Sequence, residues 1–271
     1  MNGRTVNHCK NKAQIKATTQ DCDYLGGILG FNEDGYIKDC VNEGNINQCS
    51  FDGSVSVSND VGDIAGIVGR QVNGRTVNHC KNKAQIKATT QDCDYLGGIL
   101  GFNEDGYIKD CVNEGEIIGN NQIGGIAGEN DGFDGHGYIE RCINLGNIKG
   151  NEIVGGITGE NHRTASIINC ENIGHITGNE YAGGISGAAG VLEKDKKEIR
   201  YCINIGKIEC NSYGNAIVGA LYAASSGVIT AQWVKSGNNW YYVDVEGKMV
   251  TGDYEINGVV NHFDANGVWI N

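Results

Sequence analysis

Proline is absent from the 271 residues, and only two methionines occur. Proline lacks the N–H that a β-ladder needs and is excluded from interior strands, so its absence leaves every segment free to pair. There is no run of about 20 apolar residues, which excludes a membrane-spanning helix. There is no Lys/Arg cluster either, and the formal net charge of −12 repels phosphate backbones, so nucleic acid is set aside as a partner. No C-x2-C pair exists, and neither HxH nor HExxH occurs, so the common zinc spacings fail. No GxSxG, P-loop or Rossmann pattern stands in a fitting context, and nothing calls for a cofactor. The N-terminus "MNGRTVNHCK" carries no apolar signal region and opens inside a repeat. The expectation is a piece of a longer protein whose export signal lies elsewhere.

What the chain has in excess is glycine, 43 residues, and repetition. Residues 2–44 return letter for letter as residues 73–115. Beneath that duplication lies a shorter unit. "YIKDCVNEGNI", "YIERCINLGNI", "SIINCENIGHI" and "EIRYCINIGKI" align on their cysteines. Each is followed by a block such as "YLGGILGFN", "QIGGIAGEN", "IVGGITGEN" or "YAGGISGAA". From Cys111, Cys142, Cys170 and Cys202 to Ile126, Ile157, Ile185 and Ile217 the step is 15 residues each time. From Cys9 and Cys80 to Ile28 and Ile99 it is 19, and from Cys49 to Ile67 it is 18. Seven such units can be counted, and a period of this length means a solenoid, propeller or array.

Inside a unit the period is two. Cys142, Asn144, Gly146 and Ile148 alternate along one face, and the same rule puts Ile153, Gly155, Ile157, Gly159 and Asn161 together. Short strands separated by Gly, Asn and Asp turns, with no sustained helical period, predict an all-β chain. It should be a parallel β-helix or β-solenoid, right-handed, of about seven coils, followed by a small β-hairpin module. Cys stacks on Cys, Ile on Ile and Asn on Asn. A coil meets only its two neighbours, so an identical coil fits anywhere in the stack. At roughly 4.8 Å per coil the rod would be about 34 Å long. Between Cys40 and Cys49 the GGIxG block is missing, which reads as a truncated or recombined unit at the duplication joint.

The recurring "GGIxGxN" and "CxNxGxI" blocks, as in "GGIAGEN" and "CINLGNI", resemble the GLUG motif of bacterial surface proteins over about residues 1–222. That resemblance implies an extracellular stalk or adhesin-type segment on the bacterial cell surface, with no assigned catalytic residues.

Composition changes at 223–229, a small-residue linker around "AASSG", and residues 230–271 form a second module. All three tryptophans, at 233, 240 and 269, lie in it. "NNWYYVDVEGKMVTG" predicts a hairpin turning at Glu246-Gly247, and "VNHFDANGVW" a second one turning at Asn266-Gly267. "WVKSGNNWYYVDVEGKMVTG" resembles one unit of the choline-binding type of cell-wall-binding repeats. Carried over by position, Trp233, Trp240 and Tyr242 are the candidate ligand-binding aromatics, with Met249 as apolar support. The partner so implied is a cell-wall polymer, choline-bearing teichoic acid or glycan, or a host surface glycan or protein. Alternation puts Trp240 and Tyr242 on one face and Tyr241 and Val243 on the other. The family pattern departs at Asp253 and at "VNHF" (Val260 to Phe263), where aromatics are expected. Packing of the hairpins against each other is the competing use of these rings.

Eleven cysteines are present. Those at 9, 40, 80, 111, 142, 170 and 202, with Cys49, read as a column of buried thiols acting as small hydrophobes; Cys22, Cys93 and Cys210 lie off it. The six histidines read as solvated. Asp34, Asp105, Asp131 and Asp134 recur in acidic Gly/Asn-rich loops that read as solvated turns, with Ca²⁺ ligation as the alternative. Three functions remain open. One is a non-catalytic cell-surface adhesin, another a polysaccharide-acting lyase or hydrolase, and the third a passive spacer. A β-helix enzyme needs non-repeating charged residues converging on one face. The least repetitive charged stretch is "LEKDKKEIRY" (192–201).

Overall fold

The computed structural model describes residues 4–12, 15–16, 24–32, 35–38, 41–42, 46–47, 62–88, 95–189, 199–215, 217–221, 232–236, 239–244 and 250–270. All the elements among them are strands. Five seven-stranded parallel sheets form the five walls of a seven-coil solenoid, and two antiparallel pairs follow. Coil five shows the plan. Its strands, in wall order, are Tyr138–Glu140, Ile143–Asn144, Ile148–Lys149, Ile153–Gly155 and Thr158–Arg163. Every strand pairs with the same-wall strand of the coils before and after it.

The duplicated segment sits in the stack two coils apart. Tyr36 of coil two pairs with Thr5 on one side and with Thr76, the copy of Thr5, on the other. On the following side the match is direct: Thr76 pairs with Tyr107, the copy of Tyr36, as Thr5 pairs with Tyr36, so the two copies share the same next coil. Coil two is not truncated. Its second wall strand is Val41–Asn42, in register with Lys10–Asn11 and Lys81–Asn82, and its fourth and fifth are Asp63–Ala65 and Val68–Gln71. The unit thus gains chain between Asn47 and Asp63. Cys22, Cys40, Cys49 and Cys93 lie outside the described residues.

Alternation holds along the first block: Cys142, Asn144, Gly146 and Ile148 are buried, while Leu145 and Asn147 are exposed. It slips in the second block. Ile153 is half-exposed and Val154 is buried, yet Ile157 and Asn161 also point inward. The chain bends at Gly155-Gly156, where Ile157 and Thr158 both donate to the carbonyl of Ile185, and the phase shifts by one. A Cβ on Gly156 would strike the carbonyl of Gly184 and the side chain of Asn172, so this corner admits only glycine. The other corner uses left-handed backbone. The residue before each described column cysteine (His8, His79, Asp110, Arg141, Asn169 and Tyr201) has φ between 53° and 55°.

The interior is divided in two. The larger core stacks Val77, Ile108, Ile139 and Ile167 of the first wall with the thiols Cys80, Cys111, Cys142, Cys170 and Cys202 and the Ile99–Ile126–Ile157–Ile185 column. The smaller stacks Ile86, Ile117, Ile148 and Ile176 against Leu96, Ile123, Val154 and Ala182. An asparagine column is buried with them: Asn82, Asn113, Asn144 and Asn172 each donate through Nδ2 to the Oδ1 of the next coil's Asn, ending at Asn204, at 2.7–2.8 Å. Each also donates to a carbonyl two residues on, as Asn144 does to Gly146 at 2.9 Å. A second column on the fifth wall runs Gln71, Asn103, Asn130, Asn161 at 2.7–2.9 Å. These amides line a core without leaving it unsatisfied. The column cysteines are free thiols; burial is the leading cause that pushes Cys111, Cys142 and Cys170 well above the ordinary thiol range.

The C-terminal pairs differ from the predicted hairpins. Gln232–Ser236 pairs with Asn239–Val243, so the aromatic strand folds back on the strand before it; Val250 also donates to the carbonyl of Tyr242 at 2.9 Å, while the predicted turn at Glu246-Gly247 lies outside the described residues. Gly252–Ile256 pairs with Val259–Phe263 through Asn257-Gly258, whose φ values of 52° and 81° suit a type I′ turn. Val268 donates to Asp264, and Trp269 bridges to Phe263 after that second pair. The expected linker 223–229 and Met249 lie outside the described residues. Tyr241, 4% exposed, joins the larger core, with Val268 packed against it. Coil seven has no eighth coil on it, yet Cys202, Ile203 and Ile217 are at most 3% exposed, because this module covers that half of the end. Ile208 and Cys210, which end the smaller core, are only half-buried, as are Val6, Cys9, Ile28 and Leu29 of coil one.

Candidate functional site

Two concavities gather side chains with chemistry. The first belongs to the hairpin module. Trp233 pairs across the strands with Tyr242, and Lys235 with Trp240, so Trp233, Trp240 and Tyr242 share one face. Trp233 is the hub. Trp240 meets it edge-on at 6.5 Å and 83°, Trp269 at 5.3 Å and 70°, and Phe263 stacks on it at 5.7 Å. The three indoles wall an apolar cleft of about 300 Å³. Tyr242 does not line it but meets Trp233 edge-on at 5.3 Å, lies 5.9 Å from Tyr254, and packs with Val250, Ile256 and Phe263. Of the predicted set, then, Trp233 and Trp240 line the cleft and Tyr242 supports it. Trp269 completes it, brought back beside Phe263 by a turn at 265–266, within one residue of the one predicted in "VNHFDANGVW". Where the family pattern has aromatics, Asp253 and His262 face each other at 2.6 Å.

The second lies on the outer face of the fifth wall, where the inward letters repeat and the outward ones do not. Register aligns Arg70, Phe102, Glu129 and Glu160 in one row and Glu104, Asp131 and His162 in the next. With Tyr95, Gln122, Phe133 and Arg163 they line a cleft of about 430 Å³. Arg70, Glu129, Asp131 and Glu160 are buried despite facing outward. Arg70 bonds Glu104 at 2.7 Å, reaches Asp63 at 3.4 Å and lies over Phe102 at 4.2 Å. Gln122 donates to Glu160, and Arg163 pairs with Asp131 Oδ2 while covering Phe133 at 4.9 Å. Asp131 Oδ1 is buried without a hydrogen-bond partner. Burial, only partly offset by Arg163, raises the Asp131 carboxyl above its usual range. The Glu129 carboxylate, 3.6 Å from Nδ1 of His162, raises that imidazole.

His162 is therefore not the solvated residue its sequence context suggests. Asp34 lies outside the described residues, and Asp105, Asp131 and Asp134 do not assemble as a calcium site among those described. Asp105 instead accepts from the backbone of Asp134 at 2.7 Å and of His136 at 3.3 Å, holding a turn, while Asp131 joins the cleft. Residues 192–198 of the charged stretch lie outside the described residues. The signal for the cleft was present: "GFNED", "GENDG" and "GENHR", aligned on their asparagines, share the glycine and asparagine and differ at both outward positions and at the letter that follows.

No family model, curated protein or solved structure matches the chain.

Proposed function

We propose that this is a non-catalytic extracellular repeat protein of a bacterial surface, a solenoid stalk that presents an aromatic cleft to cell-wall polymer or glycan. The observation that carries this reading is the three-walled indole cleft of Trp233, Trp240 and Trp269. Indole faces attract quaternary ammonium by the cation–π interaction, by about 0.5–2 kcal/mol per ring depending on desolvation. They also stack on the apolar faces of sugars. Trp240 is 39% exposed, which costs stability unless a ligand covers it. The GLUG-like and wall-binding-like wording of the chain agrees with an adhesin-type segment on the cell surface.

All three tryptophans of the chain line this cleft, so intrinsic fluorescence reads it alone. Titration with choline and with purified Gram-positive wall fragments should give a saturable change that Trp240→Ala weakens at least tenfold. A flat titration with both would end this reading.

A second reading, a polysaccharide-acting enzyme, is favoured by the fifth-wall cleft, where carboxylates, arginines and aromatic rings converge without repeating. It predicts sugar release or unsaturated products from acidic glycans, lost in Glu129→Gln and Glu160→Gln. A silent screen over such polymers would remove it.

A further inference from the structure

We infer that Glu129, Asp131 and His162 form a binding site for a first-row divalent transition ion, of which Zn²⁺ is the natural candidate. The three side chains project from adjacent strands of the fifth wall, Glu129 and Asp131 two apart on one and His162 directly beside Asp131 on the next. Each offers a ligand atom, and those atoms lie within 4.8 Å of one another. Around a four-coordinate ion with bonds of about 2.1 Å, ligand atoms sit about 3.4 Å apart. The His162 Nδ1 to Glu129 Oε1 separation of 3.6 Å is already close to that.

Two further observations point to a cation. Asp131 has a side chain 5% exposed, one oxygen held by Arg163 and the other, Oδ1, buried with no partner. A buried carboxylate oxygen with no partner carries an uncompensated desolvation penalty, and a metal ion is the ligand that satisfies it most fully. In addition, Glu129 and Glu160 stand directly opposite each other on neighbouring strands at 5% and 8% exposure. Like charges so placed repel. A dication between them reverses the sign of that interaction.

The donor set selects the ion. One imidazole and two carboxylates suit Zn²⁺, Mn²⁺ or Fe²⁺, whereas Ca²⁺ takes six to eight oxygens. Arg163, bonded to Asp131 Oδ2, acts as a positioning residue for the ligating oxygen. Three protein ligands leave coordination positions facing the cleft, where an oxygen-bearing ligand could bind. The site stands independently of the indole cleft.

The test uses the full chain. Calorimetric titration with Zn²⁺, paralleled by Mn²⁺ followed through the paramagnetic resonance of the free ion, should give one saturable site per chain. His162→Ala and Asp131→Asn should each weaken it more than the roughly 10–100-fold typical of losing a supporting partner. Glu129→Gln keeps side-chain shape and should weaken it as well, with circular dichroism confirming the solenoid in each case. His175→Ala removes the other half-exposed His–Glu pair, His175 with Glu209 at 3.7 Å, and should change nothing. Absence of saturable binding, or affinity unchanged in His162→Ala and Glu129→Gln, would overturn the assignment.

Discussion

Asn144 is 0% exposed, yet it carries three hydrogen bonds that no apolar residue could make. It donates to Asn172 and to Gly146 and accepts from Asn113. Asn144→Ala strips partners from all three, each worth about 1–3 kcal/mol when left unsatisfied. The expected loss is about 3 kcal/mol or more in urea unfolding. Asn204 ends the column and has one column neighbour, so Asn204→Ala should cost about half as much. Equal losses would mean that the column does not act through its bonds. The thiols give a second expectation at this scale. Cys111, Cys142 and Cys170 titrate well above the ordinary thiol value when folded, so the unfolded chain releases their protons first as pH rises. Their contribution is complete below the unfolded thiol pKa. Above it, each should remove about 1.4 kcal/mol of stability per pH unit until its folded thiol also ionises. Urea midpoints between pH 8 and pH 10 should fall steeply. A variant with all three replaced by alanine should be weaker at pH 7 but less sensitive to alkali.

The coil is the element here, and most of it could be read from the letters. Period two along "CINLGNI" and the stacking of like on like follow from strand geometry, and both are present. Two things were hidden. The bend at Gly155-Gly156 shifts the phase, because a corner obeys close-packing rules that no periodicity encodes. The pairing of Gln232–Ser236 with Asn239–Val243 was masked by the stronger turn signal downstream at Glu246-Gly247. The fifth-wall cleft was half legible. Its letters vary visibly between coils, but only the parallel register brings His162 beside Asp131 and Glu160 beside Glu129. In the hairpin element, Tyr241 lies over the end of the larger core. Tyr241→Ala should cost about 3 kcal/mol, as large buried rings do. Amide exchange should then speed up first in Ile199–Arg200, Ile203–Asn204 and Val218–Leu221, the coil-seven strands. Uniform acceleration along the rod would contradict a local cover.

At the scale of the whole molecule, contacts run between neighbouring coils, so stability approximates a sum over coils and their interfaces. Removing residues 2–72 tests this directly. The shortened chain begins again with Met followed by Asn73, and from there it matches the original start through position 44. It should fold as a five-coil solenoid, shorter by about 10 Å in solution scattering, at about 4.8 Å per coil. Its melting should be lower but still cooperative. Failure to fold would show that the first two coils are needed by the rest and are not interchangeable with their copies.

The two ends of the rod are unlike. One half of coil seven is sealed by Tyr241 and Val268, while the inward residues of coil one are half-exposed. Under tension between its termini such a rod has a weak end and a locked end. Coils would peel away singly from the weak one, each paying out roughly 100 Å of slack, since some 30 residues extend at about 3.3–3.6 Å apiece. A solenoid built this way lengthens under load in discrete steps of one coil rather than all at once.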